Sequence, residues 1–92
     1  MVRVTSDEPR VVLFGRVGCH LCDDARVLVE EVCAETGATW AEVDVDALAD
    51  PERRADLTEL VPVVEVDGVR QGYWRIDAAR LRRCLAAPRV SP

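Results

Sequence analysis

Apolar residues along the chain form two kinds of pattern, short unbroken runs and stripes at helical spacing, and the order in which they appear predicts the fold. Val11-Val12-Leu13-Phe14 is an unbroken run of β-branched and aromatic residues ending at Gly15, the pattern of a strand covered on both faces. After a tight loop from Gly15 to Gly18, apolar side chains recur at Leu21, Cys22, Ala25, Leu28, Val29, Val32 and Cys33. Spacings of three and four make one stripe of a helix, and Gly37 is its stop. Thr39 to Val45 predicts a second strand. Asp50-Pro51 opens a second helix, running to about Leu60, because aspartate is favoured at the cap and proline in the first turn. Pro62–Val66 and Val69–Gly72 flank Asp67-Gly68, and an Asp-Gly pair between two β-rich runs is the strongest short-range signal for a hairpin. Asp77 caps a last helix with Ala78, Leu81, Cys84 and Leu85 on one face, and Pro88 ends it.

The order β-α-β-α-β-β-α places the chain in the α/β class. Right-handed crossovers make the first strands parallel and the hairpin adds antiparallel ones. A four-stranded mixed sheet with helices on both faces is predicted. At 92 residues the chain has room for one core. That domain spans 11–87, with a flexible lead-in over 1–10 and a short tail over 88–92. No apolar run approaches the ~18 residues of a membrane span, and Met1 to Thr5 lacks the apolar centre of a secretory signal. A cytoplasmic protein is expected.

Charge narrows the function classes. The net charge of −5 disfavours a nucleic-acid binder. Residues 1–65 hold 15 acids and 6 arginines, a balance of −9, whereas residues 66–92 hold 6 arginines and 2 acids, a balance of +4. The plain reading is a solvated basic face on the last helix; the sharper one is that some arginines face an anionic substrate. All twelve basic residues are arginine, which removes lysine-based covalent mechanisms.

The chemistry lies in Cys19-His20-Leu21-Cys22, a C-x-x-C motif where a strand-loop hands over to a helix. In a βαβ context this spacing reads as a redox pair. Cys19 falls at the helix start, where unpaired N–H groups and the macrodipole favour negative charge, and the thiolate is the nucleophile of disulfide exchange. Cys22 lies one turn deeper on the inward stripe, placed to resolve a mixed disulfide. The alternatives are zinc, a cluster bridged between two chains through Cys19, and an inert structural disulfide. Zinc commonly takes two such pairs; here there is one, and Cys33 stands ~16 Å further along the same helix. Cys33 and Cys84 read as small core hydrophobes. His20, between the cysteines, either tunes the thiolate when protonated or is an exposed filler. Asp23 and Asp24 oppose a nearby thiolate while suiting a helix first turn.

These residues together resemble the glutaredoxin-like branch of the thioredoxin fold. Four features carry the resemblance over residues 11–87: the loop into Cys19-His20-Leu21-Cys22, Val61-Pro62 before the third strand, the Asp67-Gly68 hairpin, and the Gly72–Asp77 stretch before the last helix. The resemblance implies a cis Pro62 beside the cysteines and pairing of the Val61 backbone with the bound substrate's main chain. It also implies a thiol-disulfide oxidoreductase that requires no cofactor, acts as a monomer on low-molecular-weight thiols or protein disulfides, and is re-reduced by a small thiol or a reductase. The rival is a binding module that keeps the fold without turnover. Several positions depart from the family pattern. His20 stands where proline is frequent, Arg16 where many members have lysine, Val61 where threonine is common, and Gly72-Tyr73-Trp74 where a Gly-Gly pair precedes acidic residues. Tyr73 and Trp74 are adjacent and cannot both point inward from a strand; one is expected at the site, as a substrate platform or as cover for the hairpin. The two rings narrow the groove, so weak use of glutathione is expected. Arg16 and Arg75 are expected to border one groove and to suit a carboxylate-bearing thiol or an acidic protein segment, unless both are plain solvated arginines.

Overall fold

The computed structural model describes residues 9–86; the first eight residues of the lead-in expected over 1–10, the Pro88 stop and the tail over 88–92 lie outside the described residues. Strand β1 (Val11–Gly15) leads into helix α1 (His20–Thr36), followed by β2 (Trp40–Asp44), a 3-10 turn (Val45–Ala47), α2 (Pro51–Thr58), β3 (Val63–Val66), β4 (Val69–Tyr73) and α3 (Ala78–Ala86). The sheet order is β2-β1-β3-β4, with β1 parallel to β2 and antiparallel to β3, and β3 antiparallel to β4. This is the expected α/β architecture.

Alternation along the central strands feeds two cores. Val11 and Leu13 of β1, with Val64 and Val66 of β3, pack under α1 and α3. Phe14 and Val63 turn to the opposite face, against Leu57 of α2 and Val45. Cys33 is buried in the first core and Cys84 packs against it, as small hydrophobes would. Burial pushes the Cys33 thiol up from its ordinary value.

Local chemistry sets the element ends. The Asp50 carboxylate accepts the N–H groups of Glu52 and Arg53, the Asp77 carboxylate those of Ala79 and Arg80, and Gly37 closes α1 at φ 76°. In the hairpin Asp67 and Gly68 both take positive φ, 52° and 84°, as a type I′ turn requires. Arg10 holds that turn from the far side, donating to both Asp67 carboxylate oxygens at 3.1 and 2.9 Å. Strand β2 is shorter than the apolar pattern suggests. The Asp44 side chain accepts the Asp46 N–H at 2.9 Å, and this local bond competes with the ladder, so Val45 leaves the strand and drops, fully buried, into the second core. Among the described residues no helix is long and apolar enough to cross a membrane.

Candidate active site

The loop after β1 turns at Gly18, whose φ of 81° suits glycine, and delivers Cys19 to the N-cap of α1 in extended geometry. There the Cys19 Sγ accepts the N–H of Cys22 at 3.2 Å, satisfying one of the donors a helix start leaves free. Cys19 is partly exposed, whereas Cys22 is fully buried on the inward stripe. The two sulfurs therefore sit in opposite environments. Cys22 is pushed up to about 11, first by burial and then by its hydrogen bond with Cys19; a backbone hydrogen bond at Arg16 and the charge of Arg26 pull weakly the other way. Gly15 packs directly on this sulfur: a Cβ there would lie 3.4 Å from both Cβ and Sγ of Cys22, in close contact.

One turn below Cys22, Arg26 holds an ion cluster that the sequence did not reveal. Its Nε and Nη2 donate to Glu42 at 2.8 and 2.7 Å, and its Nη1 donates to Asp23 at 2.9 Å. The guanidinium holds the Glu42 carboxyl below its usual range, and Glu42 in turn raises Arg26. Asp23 is thereby engaged by Arg26 beside the cysteines. The parallel register pairs Leu13 with Glu42, so aligning the two predicted strands was the available signal.

The Val61–Pro62 peptide bond is cis. Pairing of Phe14 with Val63 in the β1–β3 ladder carries Pro62 to the level of Gly15, the residue packed on Cys22. Pro62 is buried and Val61 half-buried. This segment is tied to Trp74, whose backbone N–H donates to the Pro62 and Leu60 carbonyls at 2.8 and 3.2 Å, and whose indole N–H donates to the Glu59 carbonyl at 3.1 Å. The Trp74 backbone sits at φ 62°, a left-handed conformation that is uncommon for a bulky residue.

Strand alternation therefore does not govern the aromatic pair. Tyr73 ends β4 and Trp74 has already left it, so both rings are exposed, at 46% and 52%, rather than one. They meet edge to face at 5.1 Å. Tyr73, Trp74, Leu21 and Arg75 line an open cleft of about 450 Å³. Leu21 is the residue by which the C-x-x-C motif contributes to this cleft. His20, the first residue of α1, is exposed.

Arg16 and Arg75, expected to border one groove, have different surroundings. Arg16 donates to Asp46 at 3.2 Å, beside the end of β2, while Arg75 follows β4 and lines the cleft.

A thioredoxin-type sheet with a cysteine pair at the first helix start and a proline at the entrance to β3 defines the class. The family model described as a glutaredoxin-like domain (DUF836) matches residues 10–86, and the chain belongs to that family. An uncharacterized protein of Mycobacterium tuberculosis is 36% identical over 81 residues, covering 85% of this chain and 84% of the relative. Among solved structures, protein XcR50 of X. campestris is 34% identical, covers 85% of this chain and 99% of its own, and superposes with a TM-score of 0.60. A buckwheat glutaredoxin in complex with glutathione shares the fold at 21% identity and a TM-score of 0.55, covering 85% of this chain and 77% of its own.

Proposed function

We propose that the protein is a glutaredoxin-like thiol-disulfide oxidoreductase in which Cys19 attacks and Cys22 resolves. The observation that carries this reading is the contrast between the two sulfurs. Cys19 is partly exposed at a helix N-cap and receives an N–H, while Cys22 is buried and held protonated one turn below. The Cys19 thiolate attacks one sulfur of a substrate disulfide, forms a mixed disulfide and releases one thiolate. Cys22 then gives up its proton and attacks Cys19 Sγ, releasing the second thiolate and leaving the Cys19–Cys22 disulfide. Two electrons from a small thiol or a reductase restore the dithiol. No cofactor enters these steps.

The resemblance supports roles for the cleft residues. Pro62 shapes the pocket floor, the Val61 backbone pairs with substrate main chain, and His20, exposed between the cysteines, tunes the thiolate when protonated. Leu21, Tyr73 and Trp74 form the apolar wall, and Arg75 meets an anionic group on the substrate. The two rings leave less room than a Gly-Gly pair would, so glutathione, the ligand of the buckwheat relative, is a poor substrate here. Arg16, engaged by Asp46, is left to a minor role at the rim. The protein acts as a cytoplasmic monomer on thiols and protein disulfides. Trapping tests the assignment: Cys19→Ser abolishes disulfide reduction, whereas Cys22→Ser retains the first attack and accumulates mixed disulfides on Cys19. Retained turnover in Cys19→Ser overturns it, and a wild-type protein that reduces no disulfide is a binding module.

A further inference from the structure

A second cavity of about 440 Å³ shares Tyr73 and Arg75 with the cleft and is lined further by Arg70, Gln71, Gly72, Asp77 and Arg80. Three arginines converge on it, and their partners do not neutralise them equally. Arg70 is paired with Asp56 at 3.0 Å. Arg80 donates only to the neutral amide oxygen of Gln71, at 3.2 Å from Nη2. Arg75 makes no hydrogen bond or ion pair among the described residues. Asp77, which also lines the cavity, accepts the Ala79 and Arg80 N–H groups in capping α3 and keeps its charge. Arg75 and Arg80 thus bring two guanidiniums with unfilled donors to one concavity, two positive charges against the one of Asp77, in a chain whose net charge is −5.

The geometry points to a binding site here for a doubly charged phosphate group, carried as the tail of a thiol or disulfide whose sulfur reaches Cys19 through the Leu21–Trp74 cleft. Tyr73 and Arg75 line both cavities, so a ligand can run from one to the other without crossing bulk protein. A phosphomonoester offers three acceptor oxygens and close to two negative charges at neutral pH, so it can take a planar fork from both guanidiniums at once. A single carboxylate, with two oxygens, is filled by one fork. The volume falls within the range of small-molecule sites. The apolar stretch between Leu21 and Trp74 suits an uncharged arm between sulfur and phosphate. This inference rests on the oxidoreductase reading for the sulfur end, while the phosphate end stands on the arginine cavity.

The test uses the reduced full-length protein in single turnover with two disulfides that share the same sulfur-bearing arm. Coenzyme A disulfide carries phosphates; pantethine does not. Each reaction consumes one protein dithiol and one disulfide, and yields two thiols and the Cys19–Cys22 disulfide. Coenzyme A disulfide should react at least about tenfold faster than pantethine at low salt, against the protein's overall charge. Arg80→Ala should shrink that ratio several-fold, whereas Arg83→Ala, on the same helix but outside the cavity, should leave it unchanged. Inorganic phosphate, titrated without any disulfide, should shift the backbone amide resonances of Gln71, Gly72 and Tyr73. Equal reactivity of the two disulfides with no phosphate-induced shift overturns the site and leaves the oxidoreductase reading standing. Shifts with a glutamate-rich peptide but none with phosphate overturn it in favour of an acidic protein partner. If neither disulfide reacts, the oxidoreductase reading fails and the substrate-tail assignment falls with it, whatever phosphate does at the arginines.

Discussion

Selective alkylation of the reduced protein is the sharpest probe of how unequal the two active-site thiols are. Cys22 is displaced from 9.0 to about 11. At pH 8 an ordinary thiol at 9.0 is ~10% thiolate, whereas Cys22 is ~0.1% thiolate, a ~100-fold deficit. Part of that deficit is returned, because a more basic thiolate is a better nucleophile; with a Brønsted slope near 0.5 the two-decade displacement gives back ~10-fold. Ionisation alone therefore slows Cys22 by only ~10-fold, and its complete burial must supply any further protection, since a reagent can meet the sulfur only after local opening. The assay is limited iodoacetamide labelling at pH 8, quenched over time and read by peptide mass spectrometry. Cys19 should label first and Cys22 at least ~100-fold more slowly, ionisation and burial acting together. In strong urea the two rates should converge. Labelling of Cys22 within threefold of Cys19 in the native state would refute both the burial argument and the assignment of roles. The same displacement links to stability. A thiol raised in the folded state stabilises the fold fully below pH 9.0, and that contribution of about 3 kcal/mol drains away as pH rises toward 11. Cys22→Ala should flatten this alkaline limb.

Three further outcomes follow from packing and charge. Leu81→Ala, at a fully packed position between α3 and the sheet, should cost about 2–5 kcal/mol by urea denaturation; a loss under 1 kcal/mol would mean that α3 is not part of the cooperative core. The Glu42 carboxyl is held low by Arg26, so the pair stabilises the fold above pH 4.5 and the contribution is lost as pH falls through the lowered value. Glu42→Gln should therefore lose less stability than wild type between pH 7 and 3.5, and an unchanged difference between the two midpoints would contradict it. Trp74→Phe keeps a ring at the cleft but removes the indole N–H bond to Glu59; it should raise KM for disulfide substrates several-fold with little change in kcat, and a loss confined to kcat would argue that Trp74 acts on the chemistry instead.

The elements that could be read from sequence are those whose ends are written in single residues. Asp50, Asp77 and Gly37 stop and start helices wherever they stand, because each satisfies orphan backbone groups locally, and Asp67-Gly68 folds back for the same reason. The cysteine geometry was legible on the same ground, since a helix start fixes both the N-cap position of Cys19 and the inward turn of Cys22. What could not be read depends on groups far apart in the chain. The Arg26–Glu42 cluster needs the β1–β2 register, and the choice of Asp46 by Arg16 needs the 3-10 turn that follows β2. That turn itself arises from one side-chain bond at Asp44, which competes with an otherwise convincing apolar continuation into Val45. Alternation does not place Tyr73 and Trp74, because it holds only while the chain stays in a strand, and β4 ends at Tyr73.

Trp74 shows how such a departure is sustained. A left-handed backbone at a bulky residue costs of order 1–3 kcal/mol and persists only where the surroundings over-determine it. Here its N–H is held by the Pro62 and Leu60 carbonyls and its indole by Glu59, so three acceptors from the segment around Pro62 fix one residue. A glycine at this position would take the same conformation without strain but would leave no ring beside Leu21. The tryptophan therefore converts a backbone turn into one wall of the Leu21 cleft, and it fastens that wall to the segment that precedes β3. The cleft wall and the Pro62 segment are thus one mechanical unit, so a change at Trp74 is felt at Pro62, and any substrate that enters along Leu21 meets a surface whose position is set by the same hydrogen bonds that hold the cis-proline segment in place.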